Sequence, residues 1–91
     1  MANVLDDEEI ESRLPPNWER AGDEIVRTYS FDDYLVGVSF AVDVGELAEA
    51  EFHHPTIVIG YEEVEVRFTS HDVGGITERD IEMAELTDEE Y

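Results

Sequence analysis

The chain has 91 residues, 42% of them hydrophobic, and no cysteine. That suffices for one packed core and not for two, and it excludes a disulfide framework, a thiolate metal site and a cysteine nucleophile. Twenty-five acidic residues against five arginines give a formal net charge of −20, a field that repels phosphate backbones and disfavours nucleic acid as a direct partner.

The apolar fraction is too high for the charge to signal disorder. The acids run through the whole chain, which implies a uniformly acidic surface rather than one acidic interaction patch. Such a surface repels itself unless salt screens it, as expected in the salt-loaded cytoplasm of an extreme halophile. The melting temperature is therefore expected to fall on transfer from molar to dilute salt. No apolar run approaches the roughly 18 residues of a membrane span, so no membrane association is expected. The opening Met1-Ala2-Asn3-Val4-Leu5-Asp6-Asp7 lacks the basic and apolar regions of a secretory leader, and a cytoplasmic protein is the expectation.

Leu5, Ile10 and Leu14 recur at roughly helical spacing, predicting a short helix from Asp6 to Leu14. Asp6 and Glu9 can form a capping box at its start, and Pro15-Pro16 stops it. Asn17 to Arg20, bearing Trp18, reads as a short strand. Ala21-Gly22-Asp23 turns the chain, and Glu24 to Tyr29 returns as the second strand of a hairpin. From Phe31 to Glu51 strand-like alternation of Val36, Val38, Phe40, Val42 and Val44 competes with helical spacing of Phe31, Tyr34, Leu35, Val38 and Val42. Helix is the reading taken, because about 22 residues are too many for an ordinary strand. A Ser30–Asp33 capping box and a Tyr29–Tyr34 staple would start it, with Gly37 and Gly45 as weak points or places of close packing.

His53-His54-Pro55 ends that helix, since a residue before proline is pushed out of the helical region. Thr56 to Ile59 reads as a short buried strand. After Gly60-Tyr61-Glu62, the segment from Glu63 to Ser70 alternates, with Val64, Val66 and Phe68 on one face and Glu65, Arg67 and Thr69 on the other. His71-Asp72-Val73-Gly74-Gly75 is a loop. Thr77 with Asp80 makes another capping box, and Ile76 with Ile81 its staple, for a last helix that frays near Thr87. The order α-β-β-α-β-β-α predicts a single α+β domain over residues 1–91. Its four-stranded antiparallel sheet would carry helices packed on one face.

All three histidines lie between Glu49 and Asp80. Histidine exchanges protons near neutrality, so three of them beside carboxylates suggest acid–base chemistry or a metal site. Taken singly, each residue has a plainer explanation: His53 suits a helix C-terminus, Asp80 caps a helix, and Glu49 is a solvated helix position. Together they say more. Glu49 precedes His53 by one helical turn, and the second hairpin strand can return His71 to the pair.

Written out, Glu49-x3-His53-His54-Pro55-x5-Tyr61-x9-His71-x8-Asp80 resembles the signature of the pterin-4a-carbinolamine dehydratases, and the likeness extends from Trp18 through Tyr29-x-Phe31 to Thr77-Glu78-Arg79-Asp80. The resemblance implies dehydration of a 4a-hydroxytetrahydropterin to the quinonoid dihydropterin, in the recycling of tetrahydrobiopterin after an aromatic amino-acid hydroxylase. It implies a pterin substrate, no metal or organic cofactor, and a homodimer or homotetramer. His53, His54 and His71 are then the catalytic candidates, with His53 and His71 as the acid–base pair and His54 positioning the leaving group or ring. Glu49, Ser70 and Asp80 are substrate-binding candidates, and Glu49 is expected either to orient His53 or to accept from the pterin. Three alternatives stand beside this reading. One is a zinc site on the three histidines and Glu49, disfavoured because adjacent His53 and His54 diverge on extended backbone. The others are a non-catalytic dimerisation module and a dehydratase for another, molybdopterin-related pterin.

Overall fold

The computed structural model describes residues 3–91. The chain runs α1 (Asp7–Arg13), β1 (Glu19–Ala21), β2 (Glu24–Ser30), α2 (Tyr34–Glu51), β3 (Thr56–Ile59), β4 (Glu63–Phe68) and α3 (Glu78–Glu90), the α+β order expected. Its four strands form one antiparallel sheet in the order β1-β2-β4-β3. The long α2 crossover carries the chain from β2 to the far edge, and β4 then returns into the gap between.

The register sets which face the helices cover. Ile25 lies opposite Phe68, Arg27 opposite Val66 and Tyr29 opposite Val64, while Ile57 lies opposite Val66 from the other side. Alternation puts these side chains on one face of the sheet. Ile25, Tyr29, Val64, Val66 and Phe68 are all buried there, in one core with Ile10 of α1, Phe40 and Val44 of α2, and Ile81, Met83 and Ala84 of α3. The other face carries Thr28, Glu65 and Arg67. On it the Arg67 guanidinium lies 3.0 Å from Glu65 and 3.2 Å from Glu24, and these bonds raise its pKa above the ordinary arginine value.

Two helix starts follow the expected local chemistry. In α1, Glu9 N–H donates to Asp6 Oδ1 at 2.8 Å and Asp6 N–H donates to Glu9 Oε1 at 3.2 Å. In α3, Thr77 caps the first turn and its own N–H donates to Asp80 Oδ2 at 2.9 Å. The helical reading of α2 also stands. Its strand-like alternation arises because the helix is apolar on several sides, burying Phe40, Ala41, Val44 and Ala48 while exposing Leu35, Val36 and Val42. Gly37 is a place of close approach, since a Cβ there would lie 3.4 Å from both the Phe31 and the Val64 side chains.

Four local expectations are corrected. β1 begins at Glu19, because Asn17 takes a left-handed turn (φ 73) and Trp18 swings into the core. Ser30 and Asp33 form no capping box. Ser30 is still paired with Glu63 in the sheet, Asp33 is itself the cap, accepting from Leu35 N–H at 2.9 Å, and Tyr34 faces solvent. β3 is largely exposed rather than buried, because the crossover places it at the sheet edge. Finally, α3 continues past Thr87 to Glu90, with Thr87 buried and Asp88 bound to the sheet.

Candidate active site

The site starts where α2 stops. Phe52 takes the left-handed conformation (φ 52, ψ 46), and both its N–H and that of His53 turn back to Ala48 O. For a residue with a Cβ this conformation costs about 1–2 kcal/mol. Phe52 is 79% exposed, and its ring gains only an edge-on contact with His54 at 5.8 Å between centroids. What braces the reversal is Arg79 of α3, whose Nη2 donates to Glu51 O at 3.1 Å and Phe52 O at 3.0 Å. The left-handed residue breaks the helical repeat, so the two following histidines separate.

His53 turns inward, with its side chain 9% exposed and its ring stacked on Phe68 at 6.2 Å between centroids. Its Nε2 lies 2.6 Å from Asp80 Oδ1. The other oxygen, Asp80 Oδ2, accepts from Ser70 Oγ–H at 2.8 Å and from Thr77 N–H. Ser70 Oγ is also 2.9 Å from Thr77 Oγ1, closing a fully buried polar cluster. A carboxylate with two donors on Oδ2 is an acceptor, so the His53 ring meets it through Nε2–H and Nδ1 is the nitrogen left for a ligand.

His54 turns outward and pairs through Nε2 with Glu49 Oε2. The expected pairing of Glu49 with His53 is thereby corrected. A one-turn relation holds only while the helix continues, and the reversal at Phe52 hands Glu49 to the next residue. Ser70 and Asp80 lie behind the His53 ring, and Asp80 both caps α3 and holds that ring.

His71 arrives on a tight turn at the end of β4. Ser70 N–H donates to Gly75 O at 3.0 Å and Gly74 N–H to Ser70 O at 2.9 Å, with Gly74 left-handed (φ 70). Val4 packs on this turn so closely that a Cβ on Gly75 would meet it at 2.8 Å. The His71 side chain makes no hydrogen bond among the described residues.

These segments enclose a cleft of about 310 Å³ lined by His53, His54 and His71 with Phe52, Thr69, Asp72 and Arg79. That volume lies at the low end of the range for small-molecule sites. Larger hollows beside α3, of about 340 and 490 Å³, hold no histidine; Glu78 and Glu82 line both, with Arg13 in the first and Glu9 and Arg79 in the second. Among the described residues no three His, Asp or Glu side chains are grouped to hold a metal ion. Nor is any helix among them long and apolar enough to cross a membrane. Phe52, Thr69, Asp72 and Arg79 are the cleft residues that were not among the site candidates read from the sequence. For Arg79 the available signal was its rarity as a cation in so acidic a chain.

Comparison with known proteins points the same way as the geometry. The profile of the family described as pterin 4 alpha carbinolamine dehydratase matches residues 3–90. A protein of Halobacterium salinarum, provisionally named a pterin-4-alpha-carbinolamine dehydratase, is 56% identical over 89 residues, covering 98% of each chain. A protein of Natronomonas pharaonis with the same provisional name is 57% identical over 89 residues, covering 98% of this chain and 97% of its own. Among solved structures, a transcriptional coactivator/pterin dehydratase from Brucella melitensis superposes with a TM-score of 0.89 at 28% identity, covering 97% of this chain and 98% of that one.

Proposed function

This chain belongs to the pterin-4a-carbinolamine dehydratase family, and from that premise we propose that it dehydrates a 4a-hydroxytetrahydropterin to the quinonoid dihydropterin. The observation that carries the reading is the convergence of His53, His54 and His71 on one cleft, although His71 lies on the turn after β4 and the other two follow α2. In the reaction the C4a–O bond breaks, N5 loses its proton and a C4a–N5 double bond forms. Hydroxide is a poor leaving group, so one general acid and one general base lower the barrier.

His53 is the base in this proposal. Asp80 holds its Nε2–H, so Nδ1 offers a lone pair to the N5 proton. His71, with no hydrogen-bond partner among the described residues, is the acid that protonates the departing 4a-hydroxyl and releases water. His54, steadied by Glu49, positions the ring or the leaving hydroxyl. Ser70 and Asp80 act from behind the His53 ring by fixing its orientation. The proton taken by one imidazole and the proton given by the other balance, so solvent exchange resets the site, with neither metal nor organic cofactor. The physiological setting we assign is tetrahydrobiopterin recycling in the cytoplasm.

Self-association into a homodimer or homotetramer belongs to the same proposal. The open edge of β3 with Val58 and Ile59, and the outward Leu35, Val36 and Val42 of α2, leave apolar surface that a second copy would cover. The deciding experiment is a direct assay in molar salt, following a synthetic 4a-carbinolamine by its ultraviolet spectrum. Acceleration of water loss over the buffer rate is expected. A rate equal to buffer would end the enzymatic reading and leave a binding module.

A further inference from the structure

Among the described residues, Asn17, Gly22, Phe52 and Gly74 take a left-handed backbone. Asparagine and glycine enter that region at little cost, and a residue with a bulky side chain does not. Phe52 is the exception of the four, and it is also the most exposed large hydrophobic residue described. The reversal at the end of α2 needs neither property. Asparagine or glycine would make the same turn and leave the same two carbonyls for Arg79 to hold. Backbone strain and an uncovered ring both weigh against the fold, so folding does not explain the side chain.

The ring stands where a ligand would meet it. Phe52 lines the histidine cleft and neither of the hollows beside α3. The rest of the cleft lining is His53, His54, Thr69, His71, Asp72 and Arg79, which makes Phe52 its one apolar residue. The contact with His54 is edge-on, at 82° between planes, and the ring is otherwise bare beside the imidazoles. A neutral pterin carries its hydrogen-bonding groups along its edges and has flat, unadorned faces. The imidazoles serve the edges, where protons move. An aromatic wall is what suits a face.

We propose that the Phe52 ring is the platform on which the pterin ring stacks, holding it within reach of the three histidines. The inference rests on the pterin reading above and adds to it the residue that binds the face of the ring. Its distinguishing consequence is an opposition: removing the ring should weaken binding and strengthen the fold.

The probe is 6-hydroxymethylpterin, neutral and stable in its oxidised form, with binding followed by fluorescence quenching at fixed molar salt. Thermal melts and size-exclusion elution are recorded on the same proteins without ligand. Phe52→Asn is expected to weaken binding about tenfold, within the range for removing an aromatic ring from beneath a nucleic-acid base. It should also melt about 4 °C higher, because asparagine accepts the left-handed backbone more readily. Phe52→Tyr should bind as the wild type does, whereas Phe52→Leu, apolar without a flat face, should weaken binding nearly as much as asparagine. Elution should be the same for all four proteins. Undiminished binding in Phe52→Asn or in Phe52→Leu overturns the proposal. So does a lower melting temperature in Phe52→Asn, which would give the ring to the fold, or altered elution, which would give it to a contact between copies. If the wild type binds the probe and Phe52→Asn binds it equally, the platform fails and the pterin reading stands. A wild type that does not bind the probe sinks both.

Discussion

Asp80 and Asp88 stand two turns apart on α3 and are built alike, but their surroundings differ in one respect. Asp80 gathers Ser70 Oγ–H, Thr77 N–H and His53. Asp88 gathers Trp18 Nε1–H at 3.0 Å, Arg27 Nη1–H at 2.8 Å and Tyr29 Oη–H at 2.5 Å. Around Asp88 the contacts close on themselves. Arg27 lies 4.3 Å over the Tyr29 ring, and the Tyr91 ring packs 5.0 Å from Tyr29. Around Asp80 they end in an imidazole on a cleft. The same device ties a helix to a sheet in one place and orients the imidazole of His53, the base of the proposed reaction, in the other. What separates stability from function is whether one of the donors can also reach a ligand.

Substitutions can break that comparison at either end. The largest effect is expected from His53→Ala and His71→Ala, each lowering dehydration turnover by about 10²- to 10⁴-fold with far-ultraviolet circular dichroism unchanged. Near-full activity in either variant would remove that residue from the mechanism. His54→Ala is expected to cost less. Next comes Asp80→Asn, whose amide would offer N–H where His53 now finds an acceptor and so favour the opposite tautomer. A loss of about 10²-fold or more in turnover is expected in a protein that remains folded. Unaltered turnover would mean that the carboxylate serves the fold alone.

Asp88→Asn should do the reverse. Urea titration is expected to show a loss of about 1.5–3 kcal/mol, the range for hydrogen bonds to a charged group, with turnover within about twofold of wild type. A large loss of turnover there would dissolve the distinction between the two ends of α3. The smallest effect concerns alkaline pH. Burial first, and then the bond to Asp88, raise the Tyr29 phenol far above its ordinary pKa of 10.0. Stability from this group is complete below pH 10 and is lost as pH rises further, because the unfolded tyrosine ionises while the folded one stays protonated. Thermal melts from pH 9 to 11 should show that decline, and Tyr29→Phe should flatten it.

Parts of this molecule were legible in the chain and parts were not. The capping residues Asp6 and Thr77 and the alternating strand through Val64, Val66 and Phe68 were readable, because each pattern is complete within a few residues. The exposure of β3 was not. Thr56-Ile57-Val58-Ile59 reads the same at the centre or the edge of a sheet, and strand order alone distinguishes them. Trp18 was misplaced because the left-handed Asn17 that redirects it leaves no mark in hydrophobic pattern. The cleft residues Phe52, Thr69 and Asp72 likewise carry no spacing signal, and Arg79, though inside the stretch that resembles the family, meets the histidines only across the folded cleft.

By itself the amino-acid order determined the succession of elements, the histidine spacing that marks the family and an acidity spread along the whole chain. All of these are written in near neighbours. Tertiary structure decided which carboxylate serves which imidazole. Glu49 passed to His54 once Phe52 reversed the chain, and Asp80 reached His53 from 27 residues away. Local patterns carry no information about such a meeting, because it exists only after the core has closed around it.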